Sequence, residues 1–198
     1  MGIAPQDFRR MQGRLVKRAA PEQDPTPAAV PAFRRILGID PSLRGTGYGI
    51  VERQGPEQHL IQAGTIHCPP SLSKSQCLAM IASRIRILIA GLSPDVCVVE
   101  GLFFSQNLKT AITMGEARGA ALAMVAEAGL GIFELSPRAA KLAIVGYGGA
   151  QKLAVAKMVQ RILHLEEPPE PDAADALALA LALSQGGSGF LLRRMKSI

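Results

Sequence analysis

Apolar and polar positions fall into regular order from Arg35 onward. Ile36–Asp40 and Gly47–Arg53 read as two strands, and His59–Cys68 as a third. Strands joined by connections this short must be antiparallel neighbours. A change of period follows: Ser71 or Ser73 can cap a helix whose apolar face holds Leu78, Ile81, Ile85 and Leu88 or Ile89, ending at Gly91. "PDVCVVE" is a short β-branched run of the kind that fills a central, doubly covered strand. The pattern then predicts a long helix over 107–128, a fifth strand in "GIFEL", and a helix opened by Ser136 and Pro137, since proline is tolerated in a first turn. After "GYGG" a further helix runs to His164, and Asp172–Leu183 forms the last. The expected architecture is α/β, a mixed sheet with helices against its faces. There are no internal repeats.

The chain has 198 residues, enough for one domain with a sizeable core plus tails. Residues 1–34 hold five prolines and little periodicity, so they read as a flexible basic leader; 35–185 as the domain; 186–198 as a basic tail. The net charge is +6, but its distribution changes its meaning. Residues 1–34 carry six basic and three acidic side chains and residues 191–198 three basic ones, leaving thirteen of each over 35–190. The core is formally neutral unless some acids are held by metal ions. No apolar run has the length of a membrane span, and the three cysteines lack a CxxC pairing. The expectation is a cytoplasmic protein without membrane contact.

Acidic residues stand out at three places in the chain. Asp40 ends the first strand, Glu100 ends "PDVCVVE", and "PDAADALALALA" opens the last helix with Asp172 and Asp175 on one face. A strand-end Asp also suits a turn, and Asp in a first helical turn is favoured by the dipole. Glu100 is harder to account for that way, because a carboxylate closing a Val-Val run is costly to bury without a partner. If the first and fourth strands are neighbours, Asp40 and Glu100 lie side by side at one sheet edge. Clustered carboxylates repel unless they are protonated or bound to cations, and all-oxygen ligands suit Mg²⁺ or Mn²⁺.

The segments "ILGIDPSLRGTGYGIV", "VVEGLFFSQN", "MGEARGAAL", "VGYGGAQK" and "PDAADALALALA", in this order, resemble the RuvC family of bacterial Holliday-junction resolvases. The resemblance covers about residues 36–184. It implies a ribonuclease-H-like fold with a five-stranded mixed sheet, three strands antiparallel and the rest parallel. It implies a homodimeric, Mg²⁺-dependent endonuclease that makes paired symmetric nicks at four-way junctions, in recombination and repair, leaving 5′-phosphate and 3′-hydroxyl ends. Asp40, Glu100, Asp172 and Asp175 would hold two Mg²⁺ ions per active site, with Mn²⁺ able to substitute. Lys141 and Lys152 match lysines near the scissile phosphate, Lys152 counting as catalytic. Phe103 matches an aromatic that stacks on an unpaired base, with Phe104 as packing; Arg44 and Arg138 are further DNA-contact candidates. Four-way junction DNA, a second copy of the chain and the RuvA and RuvB branch-migration proteins are the implied partners. Ala111, Gly115 and Gly119, four apart on the long helix, would sit where that helix forms the dimer. The chain departs from the family at Ser42, where a glycine is usual, and at Gly101, where longer polar residues are common.

Two other classes start from the same residues. Actin-like ATPases and sugar kinases also open with a strand, an acid and a glycine-bearing turn. They need a second such loop and a duplicated fold, for which this length leaves no room. A ribonuclease-H-fold nuclease with another nucleic-acid substrate remains an alternative. "GYGGAQK" lacks the P-loop spacing, and His67, Cys68 and Cys77 lack closed zinc spacing. The glycines after Asp40 are expected to turn the chain back and to leave room for a DNA backbone.

Overall fold

Three strands, β1 (Arg35–Asp40), β2 (Gly45–Gln54) and β3 (Glu57–His67), form an antiparallel meander in the computed structural model. β4 (Val96–Glu100) lies parallel to β1 on its other side, and β5 (Gly131–Leu135) parallel to β4. The sheet order is β3-β2-β1-β4-β5-β6, where β6 (Lys196–Ser197) is a two-residue strand antiparallel to β5. It extends the five expected strands and comes from the span expected to be a tail; pairing it with β5 covers an edge that would otherwise present free N–H and C=O groups. The structure describes residues 33–101, 107–185 and 196–198, which lie within one unit, Ala32–Ile198. The leader expected over residues 1–34 lies almost wholly outside the described residues.

The central strands are apolar on both faces because both are covered. In β4, Val96 and Val98 join one core cluster, and Cys97 and Val99 the other. One face is covered by α1 (Lys74–Leu92) and α2 (Leu108–Glu127), through Cys77, Ile81, Ile85 and Leu88 and through Ala117, Ala121 and Val125. α1 is long and apolar enough by composition to cross a membrane, but that buried face belongs to the core. Its start is set by a capping box in which Ser73 and Gln76 satisfy each other's backbone N–H. Asn107 and Ser136 cap α2 and α3 (Pro137–Val145) in the same way, each accepting one backbone N–H.

α3, α4 (Lys152–Ile162) and α5 (Pro171–Ser184) cover the second face. α5 lies unusually close to the sheet, and glycines make that possible. A Cβ at Gly38 would fall 2.0 Å from the Ala176 carbonyl oxygen, one at Gly47 2.0 Å from that of Asp172, and one at Gly49 2.6 Å from Leu177 Cδ2. Gly38 and Gly49 are cross-strand partners, so the helix rests on bare backbone at the centre of the sheet. This corrects the expectation that the glycines leave room for DNA. At Gly45, Gly47 and Gly49 that space is occupied by α5.

Candidate active site

The parallel register sets Ile39 beside Val99, so the next residues, Asp40 and Glu100, emerge together at one edge. α5, seated on the glycines, brings Asp172 and Asp175 to the same edge from the opposite layer. The Asp172 carboxylate lies over Gly45, where an added Cβ would sit 2.8 Å from Oδ2. α3 and α4 close the far side with Lys141 and Lys152. These six side chains, with Pro41, Ser42 and Met114 among others, line one cleft of about 340 Å³.

The electrostatics follow from burying like charges together. Burial, then the Asp175 charge, pushes the Asp40 carboxyl up to about 6. Burial, then the neighbouring Asp40 charge, pushes Glu100 up to about 8, and the two side chains share a hydrogen bond. A proton held between the two carboxyls relieves the repulsion that burial imposes on them. Lys152 Nζ lies 2.9 Å from Asp175 Oδ2, and that contact raises the lysine. Among the described residues no three acidic, His or Cys side chains are gathered as a ready metal-ligand cluster. The four acids face one cleft, with the Lys152 ammonium on Asp175 and with burial and mutual charge raising Asp40 and Glu100. The donors are all oxygen, the composition that suits Mg²⁺ or Mn²⁺.

The remaining expected residues divide. Arg44 is exposed and does not line the cleft: its guanidinium donates to the carbonyls of Pro69 and Leu72 and contacts Cys77 Sγ at 3.2 Å, tying the β1–β2 turn to the start of α1. Arg138 lies outside the cleft lining, in an adjoining groove. Phe103 and Phe104 lie outside the described residues. Ser42 needs no glycine, because it has no positive φ; its N–H donates to Thr46 Oγ1 while its carbonyl accepts from the same hydroxyl.

One pair escaped the sequence reading. Arg118 on α2 is ion-paired with Glu134 of β5 and donates through Nε to the Glu100 carbonyl at 3.4 Å. An added Cβ at Gly101 would lie 3.1 Å from Glu134 Cγ, so the residue after Glu100 packs on the same pair. Arg118 therefore anchors the backbone that carries Glu100. The available signal was Glu134 itself, a lone acid inside an apolar strand, which raises the same question as Glu100.

The family model described as "Crossover junction endodeoxyribonuclease RuvC" matches residues 36–183. A protein of that name from Akkermansia muciniphila is 48% identical over 147 residues, covering 74% of this chain and 88% of the relative. One from Chloroflexus aggregans is 43% identical over 148 residues, covering 74% and 90%. Among solved structures, Thermus thermophilus RuvC in complex with a Holliday-junction substrate superposes with a TM-score of 0.75 at 30% identity, covering 83% of this chain and 99% of that one. The yeast mitochondrial resolvase Ydc2, with a TM-score of 0.56 and 13% identity over 79% of this chain and 82% of its own, shares the fold.

Proposed function

Because the chain belongs to the RuvC family of crossover junction endodeoxyribonucleases, we propose that it resolves Holliday junctions by hydrolysing one phosphodiester at each of two symmetric positions. The observation that carries the reading is the convergence of Asp40, Glu100, Asp172 and Asp175, from two parallel strands and a helix, on one cleft with Lys141 and Lys152. A cleft whose own carboxyls hold a proton and a lysine to offset their charge is suited to take cations in their place. Asp40, Glu100, Asp172 and Asp175 would hold Mg²⁺. When bound, such ions make a water nucleophilic and stabilise the oxygen that leaves phosphorus.

The chain's own residues have separate parts. Asp40 and Glu100, raised by burial and by their neighbours' charge, would have to be ionised to hold a cation. Asp172 and Asp175, rigidly seated through α5, set the opposite wall. Lys152, released from Asp175, presents its ammonium to the non-bridging phosphate oxygens, and Lys141 adds a second positive charge from α3. The products carry 5′-phosphate and 3′-hydroxyl ends.

Paired nicks require two such clefts. α2 buries Ala117, Ala121 and Val125 against its own core, while an added Cβ at Gly119 would meet nothing within 4 Å and Leu108 and Ile112 are exposed. We assign that face to contact with a second copy, giving a homodimer, with RuvA and RuvB as partners on the junction. Sedimentation at micromolar concentration should return about twice the 20.9 kDa chain mass; a clean monomer counts against paired incision.

The central test is cleavage of a synthetic four-way junction with Mg²⁺. The wild-type chain should convert it to nicked duplexes and leave linear duplex largely intact. Asp40→Asn should abolish cutting while junction binding persists. A mutant that still cuts at the wild-type rate would remove Asp40 from the metal site.

A further inference from the structure

Beside the cleft, the connection from α3 to α4 forms a second recess that the four acids do not explain. It has a volume of about 660 Å³ and is lined by Arg138, Leu142, Tyr147, Gly148 and Gly149. Tyr147 is 69% exposed although it is a large aromatic on a short turn. Its ring is not loose: an added Cβ at Gly149 would fall 2.8 Å from the ring carbon Cζ and from the hydroxyl oxygen. One side of the ring is therefore backed by Gly149. The Arg138 stem is seated in the same way, since an added Cβ at Gly148 would lie 2.8 Å from its Cγ and 3.3 Å from its Nε. Gly146, at φ +78°, ends α3 in the left-handed conformation and directs the turn outward.

The position of the recess indicates what enters it. On α3, Arg138 and Lys141 are three residues apart and share a face, with about 5–6 Å between Cβ atoms. Lys141 lines the acid cleft and Arg138 lines the recess, so one helical turn separates the two. The charge in the recess lining is a single cation. An exposed, backed aromatic next to a guanidinium, one turn from a phosphodiester-cutting site, is the arrangement that takes a base on the ring and a phosphate on the cation.

We infer that the Tyr147–Arg138 recess is a nucleotide subsite, holding a base and a phosphate of the substrate strand that flank the bond being cut. This deepens the nuclease reading above and rests on it. A base stacked there holds the strand in place beside the incision whatever that base is.

The test uses the full chain and four-way junctions carrying one abasic position, moved nucleotide by nucleotide on either side of the incision. Binding is measured in EDTA and cleavage in Mg²⁺. Tyr147→Ala should weaken binding of the intact junction about 10-fold, and Tyr147→Phe should not. The wild-type chain should suffer a comparable loss at one abasic position, and there Tyr147→Ala should add nothing further. Arg138→Gln should reduce the slope of log affinity against log salt by about one. Wild-type affinity in Tyr147→Ala, or losses that add at every position, would overturn the subsite. A wild-type chain that binds junctions without cutting them sinks the nuclease reading while the binding measurements still decide the subsite. No junction binding at all overturns both.

Discussion

Gly47→Ala tests the idea that bare backbone positions the active site. Gly47 pairs with Asp40 across the β1–β2 ladder and lies under the first turn of α5. The new methyl would sit 2.0 Å from the Asp172 carbonyl oxygen, 2.5 Å from its carbonyl carbon and 3.2 Å from its Cβ. Cβ contacts below 3.0 Å are essentially not seen in proteins, so Asp172 must retreat by the difference, 1.0 Å or more. β2 cannot yield instead, being hydrogen-bonded to β1 and β3 on both sides. Overpacking of this kind costs about 1–3 kcal/mol, a loss of roughly 3–10 °C in melting temperature for a domain of this size. The loss of function should be larger. Mg²⁺ tolerates ligand displacements of only about 0.2 Å, and misplacing a catalytic group by about 1 Å can cost 10²-fold in rate. Junction cleavage should therefore fall by two orders of magnitude or more in a protein still folded at 25 °C. Gly91→Ala, exposed in α1 with nothing within 4 Å of the new methyl, is the control and should be neutral or slightly stabilising. A folded Gly47→Ala enzyme that cuts junctions at the wild-type rate would refute the reasoning.

Asp40 and Glu100 are both raised above their ordinary values, so between roughly pH 4 and 8 the folded chain holds protons that the unfolded chain has lost. Their contribution to stability is fully present below the ordinary carboxylate range and disappears as pH rises through about 6 for Asp40 and about 8 for Glu100. The melting temperature in EDTA should fall over this window, and the increment added by Mg²⁺ should grow; an increment equal at about pH 5.5 and 8.5 would contradict the assignment. Arg118→Ala should destabilise by about 1–3 kcal/mol and raise the Mg²⁺ concentration needed for half-maximal cleavage, with Arg118→Lys recovering part of both. If Arg118→Ala melts lower but keeps the wild-type Mg²⁺ dependence, Arg118 supports the fold and does not position Glu100.

The elements and the identity of the acids were already written in the order of residues. Periodicity placed α2 between Asn107 and Ala128, which cap the helix, and placed β5 over residues 131–135. Ser73 and Ser136 cap the helices assigned to them. Such signals are local: a side chain reaching backbone N–H groups three residues away, or an apolar repeat on one face. Asp40 and Glu100 were legible because a strand-end carboxylate after an apolar run conflicts with burial wherever that strand goes. Where groups distant in the chain meet depended on the folded core. Glycines that looked like a turn became the bed for α5, because whether bare backbone meets DNA or a helix depends on an element more than a hundred residues away. The guanidinium of Arg44 satisfies carbonyls at Pro69 and Leu72 that no local pattern could bring to it. Arg118 and Glu134 have no repeat linking them, and their link to Glu100 arises when β5 lies parallel to β4 and α2 crosses behind. Propensity and capping act within a few residues, whereas a cleft is made by register and helix seating, which are set by the whole core at once.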